Sequence, residues 1–443
     1  MNRPSTLAAM SFALPLLVVL GCTGPEGPTG SQGSSGEAGP QGATGTMGPA
    51  GAQGFPGMSN LSDASVQVGC LSPCHGFNGV ISQFQSSVHY SAYFMNLGTA
   101  TATEWTTTGS ACGNCHAIDG LQQRATANVG TTHDGGVANL AGGELQYRDP
   151  VAGGQSSATY LGTATVAEVY CTTCHAVTDA NDPHKTNIPW TPGSFPLQFP
   201  DDAGSVFLEK SPSTAAVTGT DAGNYGGGNT CMTCHRSRVD VTNYLTATGN
   251  AITSVHWGPH EGPQADVFTG KGGYEYAGKT YGEATHEQRL SCIDCHMVSV
   301  ADNSNVPDHS FAPQLSACLG CHAGTTTFNI NSFQSNVQSA MNQFETYFQQ
   351  MLTRATAAPY TPLLATEIGD GNWALDQPIP GAMIDGALMT QDQAGALYNY
   401  ILVARGSGSG IHNPKYVAQL LEDSYAALTN GGTLDAFPAP RTQ

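Results

Sequence analysis

Basic side chains are scarce in this sequence. Lysine and arginine total 14 of 443 residues against 33 acidic ones, a net charge of −19. No basic run occurs, which excludes a nucleic-acid surface and an electrostatic hold on anionic lipid. Charged residues of all kinds reach only 11%, too few for a charge-laced, solvent-exposed helical protein. Long apolar runs are lacking too: the stretch Leu7–Leu20 falls short of the ~20 residues that span a bilayer. What the chain has instead is glycine, 55 residues of it, and 13 cysteines whose spacing is regular.

Residues 1–21 read as an export signal, with Arg3 ahead of the apolar stretch. The stretch ends Val19-Leu20-Gly21-Cys22, which resembles the lipobox of bacterial lipoproteins. That resemblance implies lipidation of Cys22 as the first mature residue; a plain cleaved signal is the alternative. From Gly24 to Gly57 glycine stands at every third position, the period that the crowded axis of a collagen triple helix demands. Residues 22–57 therefore read as a collagen-like stalk, either trimeric or a single extended spacer. Fully extended, it would reach ~100 Å.

The twelve remaining cysteines form six pairs, each followed at once by histidine. They are Cys70, Cys74 and His75; Cys112, Cys115 and His116; Cys171, Cys174 and His175. Then come Cys231, Cys234 and His235; Cys292, Cys295 and His296; Cys318, Cys321 and His322. C-x-x-C-H is the attachment signature of c-type haem. Two thiols on one turn reach the two vinyl groups, and the adjacent imidazole becomes the proximal iron ligand. Zinc and disulfide roles are disfavoured because every pair carries its histidine and no cysteine is left over. The first motif departs from the rest, with three residues between Cys70 and Cys74.

Six haems within residues 70–322 leave so little polypeptide per cofactor that the haems would form much of the core. The region 58–325 is thus expected to be a hexahaem domain of long irregular loops. Eight other histidines supply candidate distal ligands. His184 follows His175 closely in Asn181-Asp182-Pro183-His184, a local loop return, and His133 lies in a Gly-rich loop. His256 and His260 flank Trp257-Gly258-Pro259.

The stretch 254–421 resembles the multihaem cytochromes c of the nitrite reductase and hydroxylamine oxidoreductase superfamily. The likeness rests on Cys292–Met297, His309 before Phe311 and Pro313, the closing Cys318–His322, His286, and Gly410-Ile411-His412-Asn413-Pro414; Ser87-Val88-His89 matches a Ser-x-His found after early haems. The resemblance implies that His89, His286, His309 and His412 are distal ligands, leaving two haems to be shared among His133, His184, His256 and His260. The nitrite reductases place a histidine near His256 and His260 over an open catalytic haem. They usually carry lysine in place of the proximal histidine there, whereas all six motifs here end in histidine.

Residues 326–443 carry a helical pattern. Phe333, Val337, Met341, Phe344, Phe348 and Met351 recur on one helix face. Thr390 and Gln393 form a capping box ahead of Leu397, Tyr398, Ile401 and Leu402, with Gly406 as the stop. Asn413 and Pro414 start a further helix, with Val417, Leu420, Leu421 and Leu428 inward. These stripes read as core packing; the resemblance implies that such helices also mediate dimers, here through Phe344, Tyr347 and Phe348.

The fold class expected is mainly α, with irregular haem-binding loops and a helical C-terminal region. Two functions follow. The first is an electron carrier with six covalent haems, exported and lipid-anchored at the outer membrane or cell surface, or periplasmic. Its partners would be other cytochromes, a quinol-oxidising complex or an extracellular acceptor. The second is a reductase of nitrite, hydroxylamine or a sulfur oxyanion at one open haem, with His256, His260, Tyr274 and Tyr276 as candidate catalytic groups.

Overall fold

The structure is a computed structural model. It describes most of residues 79–122, 166–198, 226–299, 306–354 and 382–437, with isolated positions such as His75 and the pairs 147–148 and 155–156. Cys22, Cys70, Cys74, His133, His256 and the Gly-x-y segment lie outside the described residues. The chain divides into two compact units, 1–60 and 61–443, and all that follows concerns the second.

Ahead of residue 300 the described helices are short. Helices α1 (Val80–Gln85), α2 (Val88–Phe94) and α3 (Ala100–Thr106) come first. Ser87 and Thr99 cap the second and third, each hydroxyl accepting a backbone N–H. Helices α4 (Gly113–His116), α5 (Cys171–Cys174) and α6 (Pro183–Thr186) are single turns. They are followed by α7 (Gly228–Met232), α8 (Gln264–Phe268), α9 (Thr285–Arg289) and α10 (Cys292–His296). A two-residue antiparallel ladder pairs Tyr147–Arg148 with Gln155–Ser156.

The C-terminal region is built on three longer helices, α11 (Phe333–Met351), α12 (Gln391–Arg405) and α13 (Pro414–Thr429). The Leu352–Arg354 strand leaves α11 and pairs antiparallel with Thr361–Pro362 on one side and Ala382–Ile384 on the other. The predicted face of α11 buries Val337, Met341, Phe344 and Phe348. The capping box of Thr390 and Gln393 opens α12, and the Asn413 side chain accepts the Tyr416 N–H at 3.1 Å to open α13. Helix α12 ends at Arg405, but Gly406 stays right-handed at φ −66°. The chain turns one residue later, at Ser407 and Gly408, both with positive φ.

Trp257, Phe344, Phe348, Tyr398, Tyr400 and Tyr416 are fully buried at the centre of this body. Phe344 and Phe348 pack on Tyr400, and the Tyr347 hydroxyl donates to the Leu428 carbonyl at 2.9 Å. This corrects the expected dimer surface: Phe344 and Phe348 face this chain's own core and offer nothing to a second copy. The 270s loop is clasped to the same body. The Asn399 side chain accepts the Tyr274 N–H at 2.6 Å and donates to the Tyr274 carbonyl at 2.9 Å and to Ser424 at 3.0 Å. The Tyr274 ring lies so close to Gly395 that a Cβ there would stand 2.1 Å from it. Among the described residues, no helix is long and apolar enough to cross a membrane.

Candidate haem centre

The motif spacing and the helical turn are the same thing. In C-x-x-C-H the histidine is four residues after the first cysteine, so its N–H can close an i→i−4 bond. It does so in His116 to Cys112 at 2.9 Å, His175 to Cys171 at 2.8 Å, His235 to Cys231 at 3.0 Å and His322 to Cys318 at 2.8 Å. One turn therefore sets both thiols, at i and i+3, and the imidazole, at i+4, on one side of the helix. The flanks reinforce the turn. The Asp294 carboxylate accepts the Ser291 N–H at 2.7 Å at the start of α10. At α5, the Thr173 hydroxyl accepts from Tyr170 and donates to the Ile118 carbonyl. Among the described residues, the motif cysteines form no disulfide.

Each motif histidine faces a second histidine from elsewhere in the chain. The ring-centre separations are 6.0 Å for His75 and His184, 6.4 Å for His116 and His260, and 6.3 Å for His175 and His309. They are 5.8 Å for His235 and His89, 6.3 Å for His296 and His412, and 6.2 Å for His322 and His286. These rings are too far apart for direct contact. A metal held ~2.0 Å from a nitrogen of each ring, with the ring centre ~1.1 Å behind it, sets the centres about 6.2 Å apart. The residues present thus fit an iron between each pair. Of the four unassigned histidines, the two described ones, His184 and His260, are brought to proximal partners.

The other ring nitrogen of most of these histidines is engaged, which orients the ring and leaves Nε2 to face inward. Nδ1 of His175, His260, His286, His296 and His309 meets the carbonyls of Pro196, Glu261, Ile411, Phe311 and Pro307. His235 pairs with the Gln264 side-chain oxygen, His116 with the Tyr93 hydroxyl and His184 with the Asp182 carboxylate. Burial lowers His89, His175 and His412 to about 4, which keeps them neutral, the form a metal ligand needs.

The motifs also adjoin one another. Helix α7 abuts Cys292, where a Cβ on Gly228 would stand 3.4 Å from the cysteine sulfur. The Cys231 and Cys292 thiols are within hydrogen-bonding reach. Burial pushes the Cys174 thiol up to about 12, and proximity to Cys231 adds to the rise. Tyr93 lies near both Cys115 and Cys234; its ring is 5.7 Å from His116, on which Trp105 stacks at 4.4 Å.

The tyrosines that are candidates for reductase chemistry both bond to Asp392. The Tyr274 hydroxyl donates to the Asp392 carboxylate at 2.6 Å, and the Tyr276 hydroxyl donates to the Asp392 carbonyl at 3.2 Å. Sequence reasoning missed Tyr93, Trp105, Gln264 and Asp182. Only Asp182 left a signal, standing as an N-cap directly before Pro183 and His184.

Comparison with known proteins finds similarity to multihaem c-type cytochromes and a collagen-like repeat. The cytochrome c552 family matches residues 275–435, and the collagen triple helix repeat matches residues 19–62. Among individual proteins, the chain is similar to the C-type polyheme cytochrome OmcB of two Geobacter sulfurreducens strains. It is 25% identical to each over 330 residues, covering 67% of this chain and 43% of the relative. The chain thus spans less than half the length of those relatives. Two solved structures align over 79% of the chain. The outer cell wall cytochrome OcwA does so at 16% identity with a TM-score of 0.40, over 50% of its own chain. The undecaheme cytochrome from the S-layer of Carboxydothermus ferrireducens does so at 17% identity and 0.35, over 41%.

Proposed function

We propose that this protein is a hexahaem electron carrier working outside the cytoplasm, its six irons each held between two histidines. The observation that carries this reading is the set of six facing imidazole pairs, one for every motif, all separated by the span of an intervening metal. Proximal ligands would be His75, His116, His175, His235, His296 and His322. Distal ligands would be, in the same order, His184, His260, His309, His89, His412 and His286.

A haem c bound at such a pair supplies a one-electron Fe(III)/Fe(II) couple. The chain's own residues do the rest. The thiol pairs would hold each group covalently, and the two facing imidazoles would be the ligands to its iron. That geometry supports a carrier over the reductase reading, because a reductase needs a position where substrate can reach the metal. The hydrogen bonds at Nδ1 fix ring orientation in both oxidation states, which keeps reorganisation on electron transfer small. On this reading electrons would pass between motifs where α7 abuts Cys292 and where Tyr93 lies near both Cys115 and Cys234.

Cys22 would anchor the chain by lipid, and the Gly-x-y segment would space the carrier from its membrane. Its partners would be other redox proteins and, at a cell surface, an external acceptor. The test is carbon monoxide added to the dithionite-reduced protein. An unchanged Soret band is expected; a shift would reveal an open iron and bring the reductase reading forward.

A further inference from the structure

Resting on the electron-carrier reading and deepening it, we propose that Asp182 is a positioning residue that holds the first iron site, between His75 and His184, at the reducing end of the chain's range of potentials. Asp182 caps helix α6. Its Oδ1 accepts the His184 backbone N–H at 2.9 Å and lies 3.1 Å from Nδ1 of the same residue. One carboxylate oxygen therefore grips the histidine by backbone and ring at once, and fixes the ring that faces His75 at 6.0 Å.

The contrast with the other sites carries the inference. Eight of the paired imidazoles show an Nδ1 partner, and seven of those partners are neutral: five backbone carbonyls, the Gln264 amide and the Tyr93 hydroxyl. Among the Nδ1 partners given for the described imidazoles, that of His184 is the carboxylate. A carboxylate that accepts the Nδ1 proton pulls it partly away and makes Nε2 a stronger donor to its metal. A stronger donor, with a formal negative charge behind it, favours Fe(III) over Fe(II). Site potential falls with both effects, since axial ligand basicity and hydrogen bonding are the protein's levers on it. Lys185 is ion-paired with Asp179 and also acts on Asp182, so it offsets part of the charge and leaves the hydrogen bond to His184 as the main lever. The Asp182 side chain is 20% exposed and His184 is 73% exposed, so solvent screens the charge and the effect runs chiefly through the hydrogen bond.

The consequence is a graded chain. The first site, next after the stalk in sequence, would be the last to accept an electron from a reductant and the first to give one up.

The test is an equilibrium redox titration of the full holoprotein, followed by absorbance, in wild type, Asp182→Asn and Asp182→Ala. Asparagine keeps the cap and the acceptor oxygen but removes the charge. The expected result is that one haem's share of the absorbance change moves to higher potential in D182N, while the rest of the curve superimposes. D182A should move the same share. A D182N curve identical to wild type, with every haem present and low-spin, would overturn the proposal and reduce Asp182 to a helix cap. A wild-type protein that lacks the first haem or binds carbon monoxide there would instead overturn the axial assignment beneath it, and a haem count with the carbon monoxide spectrum separates the two failures.

Discussion

The imidazoles of His296 and His412 face each other with centres 6.3 Å apart and planes only 18° from parallel. One belongs to a single-turn motif helix, the other to the loop that delivers α13. The Asn413 cap holds the second in place, its side-chain nitrogen donating to the Phe268 carbonyl at 3.1 Å. His175 and His309 are similarly aligned at 25°, whereas His75 with His184, His89 with His235, and His286 with His322 are crossed at 82°, 79° and 80°.

These angles predict a spectrum. Aligned imidazoles donate into the same iron d orbital and split it from its partner; crossed ones leave the two nearly degenerate. The oxidised protein should show two rhombic low-spin electron paramagnetic resonance signals and three strongly anisotropic ones. The His116 and His260 pair, at 56°, should give an intermediate signal. A uniform set of rhombic signals would refute the crossed pairs.

His260→Ala should open one site, so that the reduced variant binds carbon monoxide with about one haem's share of the Soret absorbance. His256→Ala should leave the carbon monoxide spectrum silent. The reverse pattern would transfer the second site's distal role to His256.

Phe344→Ala should destabilise the C-terminal body by ~3–5 kcal/mol, the usual cost of emptying a fully buried aromatic site. Denaturant unfolding of the holoprotein reads this directly. Sedimentation should give the same mass for variant and wild type, since Phe344 faces inward; a lost dimer would restore it to an interface.

Asn399→Ala strips the clasp on the 270s loop and leaves the Tyr274 backbone unpaired, at a cost of roughly 1–3 kcal/mol. Gly395→Ala should damage the same contact by a different route, forcing the Tyr274 ring away from α12 at a cost of ~1–3 kcal/mol. Both should shift the unfolding midpoint with no change in the carbon monoxide spectrum. An effect on that spectrum would mean that Tyr274 supports an iron site.

The sequence made the covalent chemistry plain because it is local: five residues on one turn contain both thiols and the proximal imidazole. The caps of α12 and α13 were readable for the same reason, since Thr390 and Gln393 or Asn413 and Tyr416 meet within a few positions. The histidines that face the motif imidazoles were not local. His89 meets His235 and His260 meets His116 only after the chain has folded back, and no periodicity marks such a meeting. His256 and His260 both flank Trp257-Gly258-Pro259 in sequence, so composition could not choose between them. The placement of Phe344 and Phe348 was ambiguous because an apolar stripe looks alike whether its cover is α12 or another subunit.

The brevity of the early helices has its own consequence. Ahead of residue 300 no described helix exceeds seven residues, well below the ~12–15 at which an isolated helix becomes even marginally stable in water. The C-terminal body, with its aromatic centre, needs no such help. On the electron-carrier reading, a newly exported chain would therefore carry a finished C-terminal region and an unfinished remainder until its cofactors are attached. Maturation then doubles as quality control: a chain that misses a haem keeps a loose segment, and any protease in that compartment would find it first.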